Sequence, residues 1–221
     1  MSKFQLQSDR QVWAIGFDFE DQAREDGFRL IAGVDEVGRG CLAGPVVAAA
    51  CILDPERPVP KGLNDSKKLT PARRETIDAE LRENALAFAV GEVDAGEIDE
   101  INILEATKKA MLMAVGALSP AADFLLIDAL QLKLVDLPQK ALIKGDSISL
   151  SIAAASVIAK VYRDRLMCRH EEHYPQYGFA KHKGYGCAAH FEALRKHGPC
   201  PLHRKTFRGV LPSNPPKAEL F

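Results

Sequence analysis

The sequence predicts an α/β domain in which helices flank a central mixed β-sheet. Short apolar runs bounded by glycine, proline or polar residues are typical of strands, and longer segments with apolar residues every three to four positions are typical of helices. After a first pair of strands the two kinds alternate, which favours a mixed sheet. At 221 residues, 47% of them hydrophobic and 27% charged, the chain can bury one core. We therefore expect one principal domain.

Five apolar runs have the length and boundaries of strands. They are residues 29–34, 45–53, 86–93, 124–127 and 141–143. The first two are separated by a glycine-rich turn from Gly38 to Gly44, and this pattern predicts a strand pair.

The clearest helix start is Thr70 followed by Pro71, because an N-cap residue precedes a proline at the first helical position. This helix is expected to run to about Asn84. Helical periodicity also marks residues 103–118, 149–170 and 188–196. Small side chains at 153–156 would let the second of these helices lie close against a sheet. Residues 178–186 are predicted to form a loop.

We divide the chain into three parts. Residues 1–28 form an N-terminal arm or short helix, residues 29–208 form the main domain with a helical basic portion at 149–208, and residues 209–221 form a proline-rich tail. No apolar run of the sequence reaches the roughly 18 residues that span a bilayer, and residues 1–10 lack the apolar core of a signal peptide. We therefore expect a cytoplasmic protein with no membrane contact.

The five cysteines form an odd set without a CxxC pair, so we expect reduced thiols. His197, Cys200 and His203 have the residue types of a zinc site, but the segment holds two prolines and lacks a convincing fourth ligand. Structural zinc is therefore not predicted.

Charge is distributed unevenly along a chain whose net charge is only −1. Residues 144–208 carry twelve Lys and Arg against five Asp and Glu, a net +7, and all six histidines. The rest of the chain has a net charge of −8. A basic segment facing an acidic one is typical of a phosphate-binding surface beside a carboxylate cluster, although a solvated basic face would have the same composition.

Four carboxylates indicate metal chemistry. Asp35, Asp128 and Asp146 each follow a predicted strand, and Glu36 adjoins the first. Carboxylates that leave the ends of neighbouring strands can converge, but they repel and raise one another's pKa unless cations intervene. Two Mg²⁺ or Mn²⁺ ions about 4 Å apart would relieve this repulsion and could hold the attacking and leaving oxygens of a phosphodiester. The pattern favours a metal-dependent nuclease.

Three other interpretations remain open at this point. An Asp after a strand is more often a turn or cap residue than a ligand. The basic segment could belong to a nucleic-acid-binding module without catalysis, although grouped carboxylates would weaken its phosphate binding in the absence of metal. The glycine-rich turn could hold a nucleotide phosphate, but its spacing fits neither GxGxxG nor GxxxxGKS, and Asp35 and Glu36 would repel the phosphate.

Six sequence blocks follow one another along residues 29–208. They are DEVGRG at 35–40 with AGPVV at 43–47, LNDSKKL at 63–69, INIL with AT at 101–107, KGD at 144–146, IAAASVIAKVYR at 152–163 and HKGYG at 182–186. In this order they resemble the signature of bacterial ribonuclease HII, the type 2 ribonuclease H family. The resemblance implies a ribonuclease H-like fold with a helical C-terminal portion. It also implies an endonuclease that removes ribonucleotides from DNA by cutting the RNA strand of RNA–DNA hybrids and single ribonucleotides embedded in duplex DNA, leaving 5′-phosphate and 3′-hydroxyl ends.

The resemblance further implies the residues of the site. The family's metal-binding and catalytic carboxylates fall on Asp35, Glu36, Asp128 and Asp146, with Mg²⁺ or Mn²⁺ as the cofactor. The backbone of Gly38, Arg39 and Gly40 is expected to contact the ribose 2′-hydroxyl, since glycines let backbone amides approach a sugar. Tyr185 is expected to pack on the sugar of the following deoxynucleotide. The expected phosphate contacts are Lys67, Lys144, Arg163 and Lys183.

Three positions depart from the family pattern. Val37 replaces a common alanine, Cys187 replaces a common threonine or serine, and Ala129 stands where glycine is common. Only Ala129 leaves a question about the site, because it adjoins Asp128. The last four residues, 218–221, weakly resemble a peptide that docks on a replication sliding clamp. We expect a monomer, although the sequence does not determine the oligomeric state.

Overall fold

A computed structural model of the protein describes residues 15–211. Within this range the strands are β1 (Ile31–Val37), β2 (Val46–Leu53), β3 (Ala85–Val93), β4 (Phe124–Asp128) and β5 (Gln139–Leu142). The helices in the same range are α1 (Asp18–Glu25), α2 (Pro71–Asn84), α3 (Ala95–Ile101), α4 (Ile103–Gly116), α5 (Leu150–His173), α6 (Phe179–His182) and α7 (Ala188–His197). The beginning of the predicted arm, 1–14, and the end of the predicted tail, 212–221, lie outside the described residues, and the clamp-like peptide lies within the latter.

The five strands form one mixed sheet in the order β3-β2-β1-β4-β5. β1 pairs antiparallel with β2, and β2 pairs antiparallel with β3, whereas β4 lies parallel to both β1 and β5. The predicted α/β class and the predicted strand pair are confirmed. β1 is the central strand, so residues at its carboxyl end lie beside the corresponding ends of β4 and β5.

Each face of the sheet is covered by helices. On one face, apolar side chains of α4 join a buried cluster with alternate residues of β1 and β2. On the other face, α2 and α5 pack on the intervening residues of the strands. As predicted, α5 lies close against the sheet, but its closest approach to β1 is made by Ser151 and Ile152, just before the small residues at 153–156: Gly33 of β1 leaves no room for a side chain against their backbone. This contact sets the distance between α5 and β1.

Local sequence signals locate some elements and miss others. α2 runs from Pro71 to Asn84 as predicted, and the Thr70 hydroxyl accepts a hydrogen bond from the Arg73 amide. The short helix α3 was not predicted, although Asp94 caps it through the Glu97 amide. Its seven residues span too few turns for a periodic pattern to stand out.

The predicted fifth strand is displaced along the chain. Residues 141–143 were expected to be extended, but β5 ends at Leu142 and the Ile143 side chain is 83% exposed. An apolar residue outside the core cannot be distinguished by hydropathy from one inside it. The predicted loop at 178–186 also contains the single-turn helix α6.

The C-terminal helices form a separate small core. Phe179 of α6 and Leu194 of α7 pack there with Met167 of α5 and with Leu42, which lies in the loop that joins β1 to β2. This cluster holds the basic C-terminal portion against the glycine-rich turn. Among residues 15–211, none of the helices combines the length and the apolar character needed to cross a membrane.

Candidate active site

Asp35 and Glu36 lie within the central strand. We expected the strand to end at residue 34, but β1 continues to Val37 because its pairing with β2 extends through Val37 and Val47. Asp35 is 3% exposed, and its Oδ1 accepts a hydrogen bond of 2.7 Å from the Glu36 amide. The acidic pair is therefore held on a part of β1 that is paired with β2.

Asp128 lies directly beside this pair. Val34 pairs with Ile127 in the parallel β1–β4 ladder, so the next residues, Asp35 and Asp128, stand level with each other. Asp128 was expected directly after the strand and is instead the last residue of β4, and its Oδ1 accepts a hydrogen bond of 2.7 Å from the Gly145 amide.

Asp146 reaches the site from a turn, not from the end of a strand as we expected. Three residues separate it from Leu142, where β5 ends, and it lies in the 3₁₀ turn Gly145–Ser147. The Asp146 side chain is buried and makes a 3.2 Å ion pair with the exposed Lys67. Since the Gly145 amide binds Asp128, the same turn fixes both carboxylates.

The surroundings of Asp35, Glu36 and Asp128 make the ionised form of each carboxylate less favourable than in water. Burial, followed by the neighbouring Glu36 and then Asp128, raises the pKa of Asp35 well above its ordinary value, although a hydrogen bond from Ser156 opposes this. Burial also raises the pKa of Glu36 and of Asp128. These are the shifts expected of grouped carboxylates that no divalent cation neutralises.

The chemistry of these groups fits a hard divalent cation, since all four offer carboxylate oxygens. Glu36 Oε2 is buried without a hydrogen-bond partner, and such an oxygen is free to accept a ligand. The three Asp side chains and the other oxygen of Glu36 each face a protein donor. Asp35 faces the Glu36 amide, Asp146 faces Lys67, and Asp128 faces the Gly145 amide. Glu36 Oε1 faces Arg39 at 3.2 Å. In these orientations no set of three Asp, Glu, His or Cys side chains within 15–211 is arranged to hold a metal. Binding a cation would therefore require some of these side chains to turn inward from their present donors.

Ala129, which stands next to Asp128 where glycine is common in the family, adopts a backbone conformation typical of glycine. Its φ is +53°, in the left-handed region, and its amide donates to the Leu142 carbonyl at 2.9 Å. Glycine adopts this conformation freely, whereas alanine is strained in it by about 1 kcal/mol. The backbone that follows Asp128 therefore keeps a glycine-like shape despite the alanine.

The Ala129→Gly substitution should raise the free energy of unfolding by about 0.5–1 kcal/mol, because relief of strain exceeds the extra entropy of the unfolded chain. Urea unfolding measures this. Ala141→Gly, at an exposed position of β5, is the matched control and should lower stability by a similar amount. Equal losses in both variants would contradict strain at Ala129.

The glycine-rich turn follows the acidic pair. Gly38 is buried at φ +93°, and a Cβ there would lie less than 3.0 Å from the Arg163 side chain. Gly40 is exposed, and a Cβ there would meet nothing within 4 Å. Arg39 is also exposed and reaches back to Glu36. The turn therefore lies with one glycine against the interior and the other open to a ligand.

Tyr185, far along the chain, lies next to this turn. It forms an antiparallel bridge with Cys41, and the Leu42 amide donates to the Gly184 carbonyl at 2.8 Å. The Tyr185 ring is 42% exposed, with Lys160 Nζ 5.8 Å from its centroid. The structure thus brings the turn and the aromatic ring together, as a shared sugar site would require.

The four expected phosphate contacts have different surroundings. Lys67 and Lys144 are exposed, and Lys144 makes no side-chain hydrogen bond or ion pair within 15–211. Lys183 Nζ is bound to the Ala180 carbonyl and to the Cys168 thiol. Burial opposes the charge of Lys67, but the nearby carboxylates, Asp146 first, raise its pKa overall.

Arg163 differs from these lysines, and the expectation for it needs correction. Its side chain is fully buried, and its guanidinium donates to the carbonyls of Pro45, Lys183 and Ala43 at 2.8–3.0 Å. A guanidinium bound in this way cannot reach a phosphate in solvent. Arg163 instead holds the loop that follows the glycine turn. Hydropathy did not predict the burial of this residue because arginine is rarely buried.

A chain of buried histidines supports the Tyr185 segment. His190 Nδ1 lies 2.9 Å from the Tyr185 carbonyl, and its Nε2 lies 3.0 Å from His203 Nε2. The Cys200 amide donates to His203 Nδ1 at 3.0 Å. These contacts are all satisfied when His190 is protonated on Nδ1 and His203 on Nε2, so both rings are neutral. Burial, followed by His190, lowers the pKa of His203 to about 4.

We expect His203 to make stability depend on pH. The unfolded chain takes up the proton near pH 6.5 and the folded chain only near pH 4, so the contribution to stability is lost as the pH falls through this window. The raised carboxylate pKa values act in the opposite direction. Urea unfolding at pH 7 and pH 5 should therefore show a smaller loss on acidification in His203→Asn than in the unmodified protein. The exposed His173, changed to Asn, is the control and should leave the loss unchanged; the same loss in all three proteins would contradict this role of His203.

Comparison with known proteins places residues 32–210 in the family model described as Ribonuclease HII. The chain is 58% identical over 193 residues to the Ribonuclease HII of Chlamydia caviae, covering 87% of this chain and 90% of that protein. It is 56% identical over 193 residues to the Ribonuclease HII of Geotalea uraniireducens, covering 87% and 89%. Among solved structures, the PCNA:RNase HII complex from Archaeoglobus fulgidus contains a similar chain, with a TM-score of 0.70, 28% identity, and coverage of 81% of this chain and 96% of that one.

Proposed function

Because the chain belongs to the ribonuclease HII family and is a ribonuclease H acting on RNA–DNA hybrids, we propose that it also cuts duplex DNA 5′ of single embedded ribonucleotides. The cut is made by two-metal-ion catalysis and leaves 5′-phosphate and 3′-hydroxyl ends. Its role is to remove ribonucleotides from DNA in the cytoplasm.

The observation that carries this proposal is the arrangement of carboxylates at the carboxyl ends of β1 and β4. Asp35 and Asp128 stand level on neighbouring strands, Glu36 adjoins the first, and the Gly145–Ser147 turn adds Asp146. The raised pKa values of Asp35, Glu36 and Asp128 and the unpaired Glu36 Oε2 favour a positively charged ligand between the carboxylates.

Mg²⁺ or Mn²⁺, held by these four carboxylates, would activate the attacking water and stabilise the departing 3′-oxygen. The protein contributes a rigid sheet that fixes the carboxylates, and burial of Asp35 and Asp146 keeps competing water away from their inner sides. Lys67 holds Asp146 at 3.2 Å and is placed to contact a phosphate as the carboxylate turns inward.

Substrate recognition would use the surface beside the carboxylates. The exposed Gly40 amide and the half-exposed Tyr185 ring lie close enough to hold the ribose and the sugar that follows it. Lys144 and Lys183 would contact phosphates on either side. We assign Arg163 no contact with the substrate.

The decisive assay uses three duplexes of one sequence: all DNA, DNA with a single ribonucleotide, and a full RNA–DNA hybrid. We expect cleavage of the last two with Mg²⁺ or Mn²⁺ and none with a chelator. The second duplex should be cut at one position, 5′ of the ribonucleotide. Treatment of the downstream fragment with a phosphatase should alter its mobility if the new end carries a 5′-phosphate. Cleavage of the hybrid without cleavage at the single ribonucleotide would refute the proposed specificity.

Membership of an enzyme family removes two of the alternatives left open by the sequence, the module without catalysis and the nucleotide-binding loop. The third, that each Asp is only a turn residue, is tested by the Asp128 substitution described below.

The C-terminal residues Glu219–Phe221 are proposed to contact a sliding clamp. The Archaeoglobus fulgidus protein, which is similar in structure, forms a complex with PCNA. Deleting 219–221 should reduce capture of the chain by immobilised clamp without changing cleavage. Equal capture of both forms would refute this contact. Gel filtration of the free protein would test the expected monomer.

A further inference from the structure

Arg204 is a buried arginine without a carboxylate partner. Its side chain is fully buried, and none of the ion pairs within 15–211 includes it. Burial lowers the pKa of its guanidinium to about 10. Burying a cation without an opposite charge is unfavourable, so its hydrogen bonds must compensate for the lost water. These bonds identify what the residue does.

All of the hydrogen bonds from the guanidinium go to the glycine-rich loop. Nε and Nη2 donate to the Gly44 carbonyl at 3.0 and 2.9 Å, and Nη1 donates to the Arg39 carbonyl at 2.9 Å. The Arg204 amide also donates to the Leu42 carbonyl at 2.9 Å. One side chain therefore ties both ends of the loop to the C-terminal segment.

The bond to Arg39 determines the direction of the next amide. In a planar trans peptide the C=O of one residue and the N–H of the next point in opposite directions. Because the Arg39 carbonyl points inward to Arg204, the Gly40 N–H points outward. Gly40 is exposed, and within 15–211 its amide donates to no protein acceptor. A free, outward amide on the turn beside the carboxylates is the donor that a sugar hydroxyl would need.

Asp99 of α3 holds Arg204 in place from outside. Its carboxylate accepts hydrogen bonds from the amides of Lys205 and Thr206 at 2.7 and 2.9 Å. Although burial opposes it, a hydrogen bond from the Thr206 hydroxyl together with these two amide bonds keeps the pKa of Asp99 below its ordinary value, so the group is ionised at neutral pH. Asp99 thus fixes the residues that directly follow Arg204.

We propose that Arg204, anchored by Asp99, is a positioning residue for recognition of the ribose: it orients the Arg39–Gly40 peptide so that the Gly40 amide faces the 2′-hydroxyl. This inference rests on the proposed function, in which the turn contacts that hydroxyl. Arg163 is equally buried, but its hydrogen bonds go to Ala43, Pro45 and Lys183, and it meets the 38–40 turn only by packing against Gly38.

The test measures selectivity for the sugar separately from affinity for the duplex. Steady-state cleavage of the single-ribonucleotide duplex gives KM, and the all-DNA duplex of the same sequence, used as a competitive inhibitor, gives Ki. Arg204→Lys keeps the charge but cannot bind both carbonyls, and it should raise KM several-fold, up to about tenfold, since one hydrogen bond to the substrate is lost. Ki should remain unchanged.

Two further variants keep the result decisive. Asp99 lies at the surface, so Asp99→Ala should fold even if Arg204→Lys does not. It should also raise KM, by a smaller factor than Arg204→Lys. Arg163→Lys is the matched control for loss of a buried guanidinium, and its ratio of Ki to KM should fall less than that of Arg204→Lys at a similar loss of melting temperature.

Each outcome decides between a positioning role and a purely structural one. A ratio of Ki to KM that stays at its original value in both Arg204→Lys and Asp99→Ala, while only the melting temperature falls, would overturn the positioning role. In that case normal cleavage by the unmodified protein would leave the proposed function standing. An unmodified protein that does not cut the ribonucleotide duplex would instead overturn the proposed function and this inference with it.

Discussion

Replacing Asp128 with Asn should lower kcat/KM on a ribonucleotide-containing duplex by about a thousandfold or more without lowering the melting temperature. The carboxylate is one of the groups proposed to hold the metal, and metal catalysis is worth several kcal/mol of transition-state stabilisation, which corresponds to this factor. Steady-state cleavage with Mg²⁺ and with Mn²⁺ measures the loss.

The same substitution should not harm the fold. The amide side chain introduced by Asp128→Asn would keep an oxygen that can accept the Gly145 hydrogen bond, which Asp128 now accepts at 2.7 Å. Burial and the neighbouring Asp146 raise the pKa of Asp128, so its negative charge is less favourable in the folded protein than in the unfolded chain. Removing that charge should leave the melting temperature equal or higher.

Asp136→Asn is the matched control for this experiment. It makes the same chemical change at an exposed position between β4 and β5, and both cleavage and stability should stay as they are. Full turnover by the Asp128 variant would refute the assignment of the site. Loss of activity together with unfolding would mean that Asp128 is a turn residue, the interpretation that the sequence left open.

Replacing Gly33 with Ala should lower the free energy of unfolding by about 3 kcal/mol or more, at the upper end of the range for overpacked cores. A Cβ at residue 33 would lie less than 3.0 Å from the backbone of Ser151 and Ile152. Backbone atoms of a long helix cannot rotate away as a side chain can, so α5 would have to move from the sheet as a unit.

This displacement should also reduce catalysis. The Ser156 hydroxyl of α5 lowers the pKa of Asp35 and so favours its ionised form, and moving the helix away would weaken this effect. Urea unfolding and steady-state cleavage of the folded fraction measure the two effects. Gly116→Ala, at the end of α4, is the control, because a Cβ there meets nothing within 4 Å and alanine favours a helix. A Gly33 variant as stable as this control would show that α5 does not depend on close contact with β1.

Local patterns were sufficient for much of the fold. The Thr70 cap and Pro71 located α2 to the residue, because capping depends on atoms within one turn of the chain. The apolar run before Asp128 located the end of β4 to within one residue. Local patterns could not locate α3, whose periodicity is weak, or predict that Ile143 is exposed. Both features depend on which side chains the rest of the molecule covers.

The features of the candidate site can likewise be separated into those that local sequence predicts and those that depend on the tertiary structure. By itself, the sequence determined the family and identified the four carboxylates and the glycine turn as candidate site residues, since these are carried by residue types in short contiguous blocks. Only the tertiary structure decided that Asp146 arrives on a turn, that Tyr185 lies beside the glycine turn, and that Arg163 and Arg204 are interior. The burial of an arginine depends on carbonyl groups that the fold brings from distant parts of the chain, and no local pattern of charge or hydropathy contains that information.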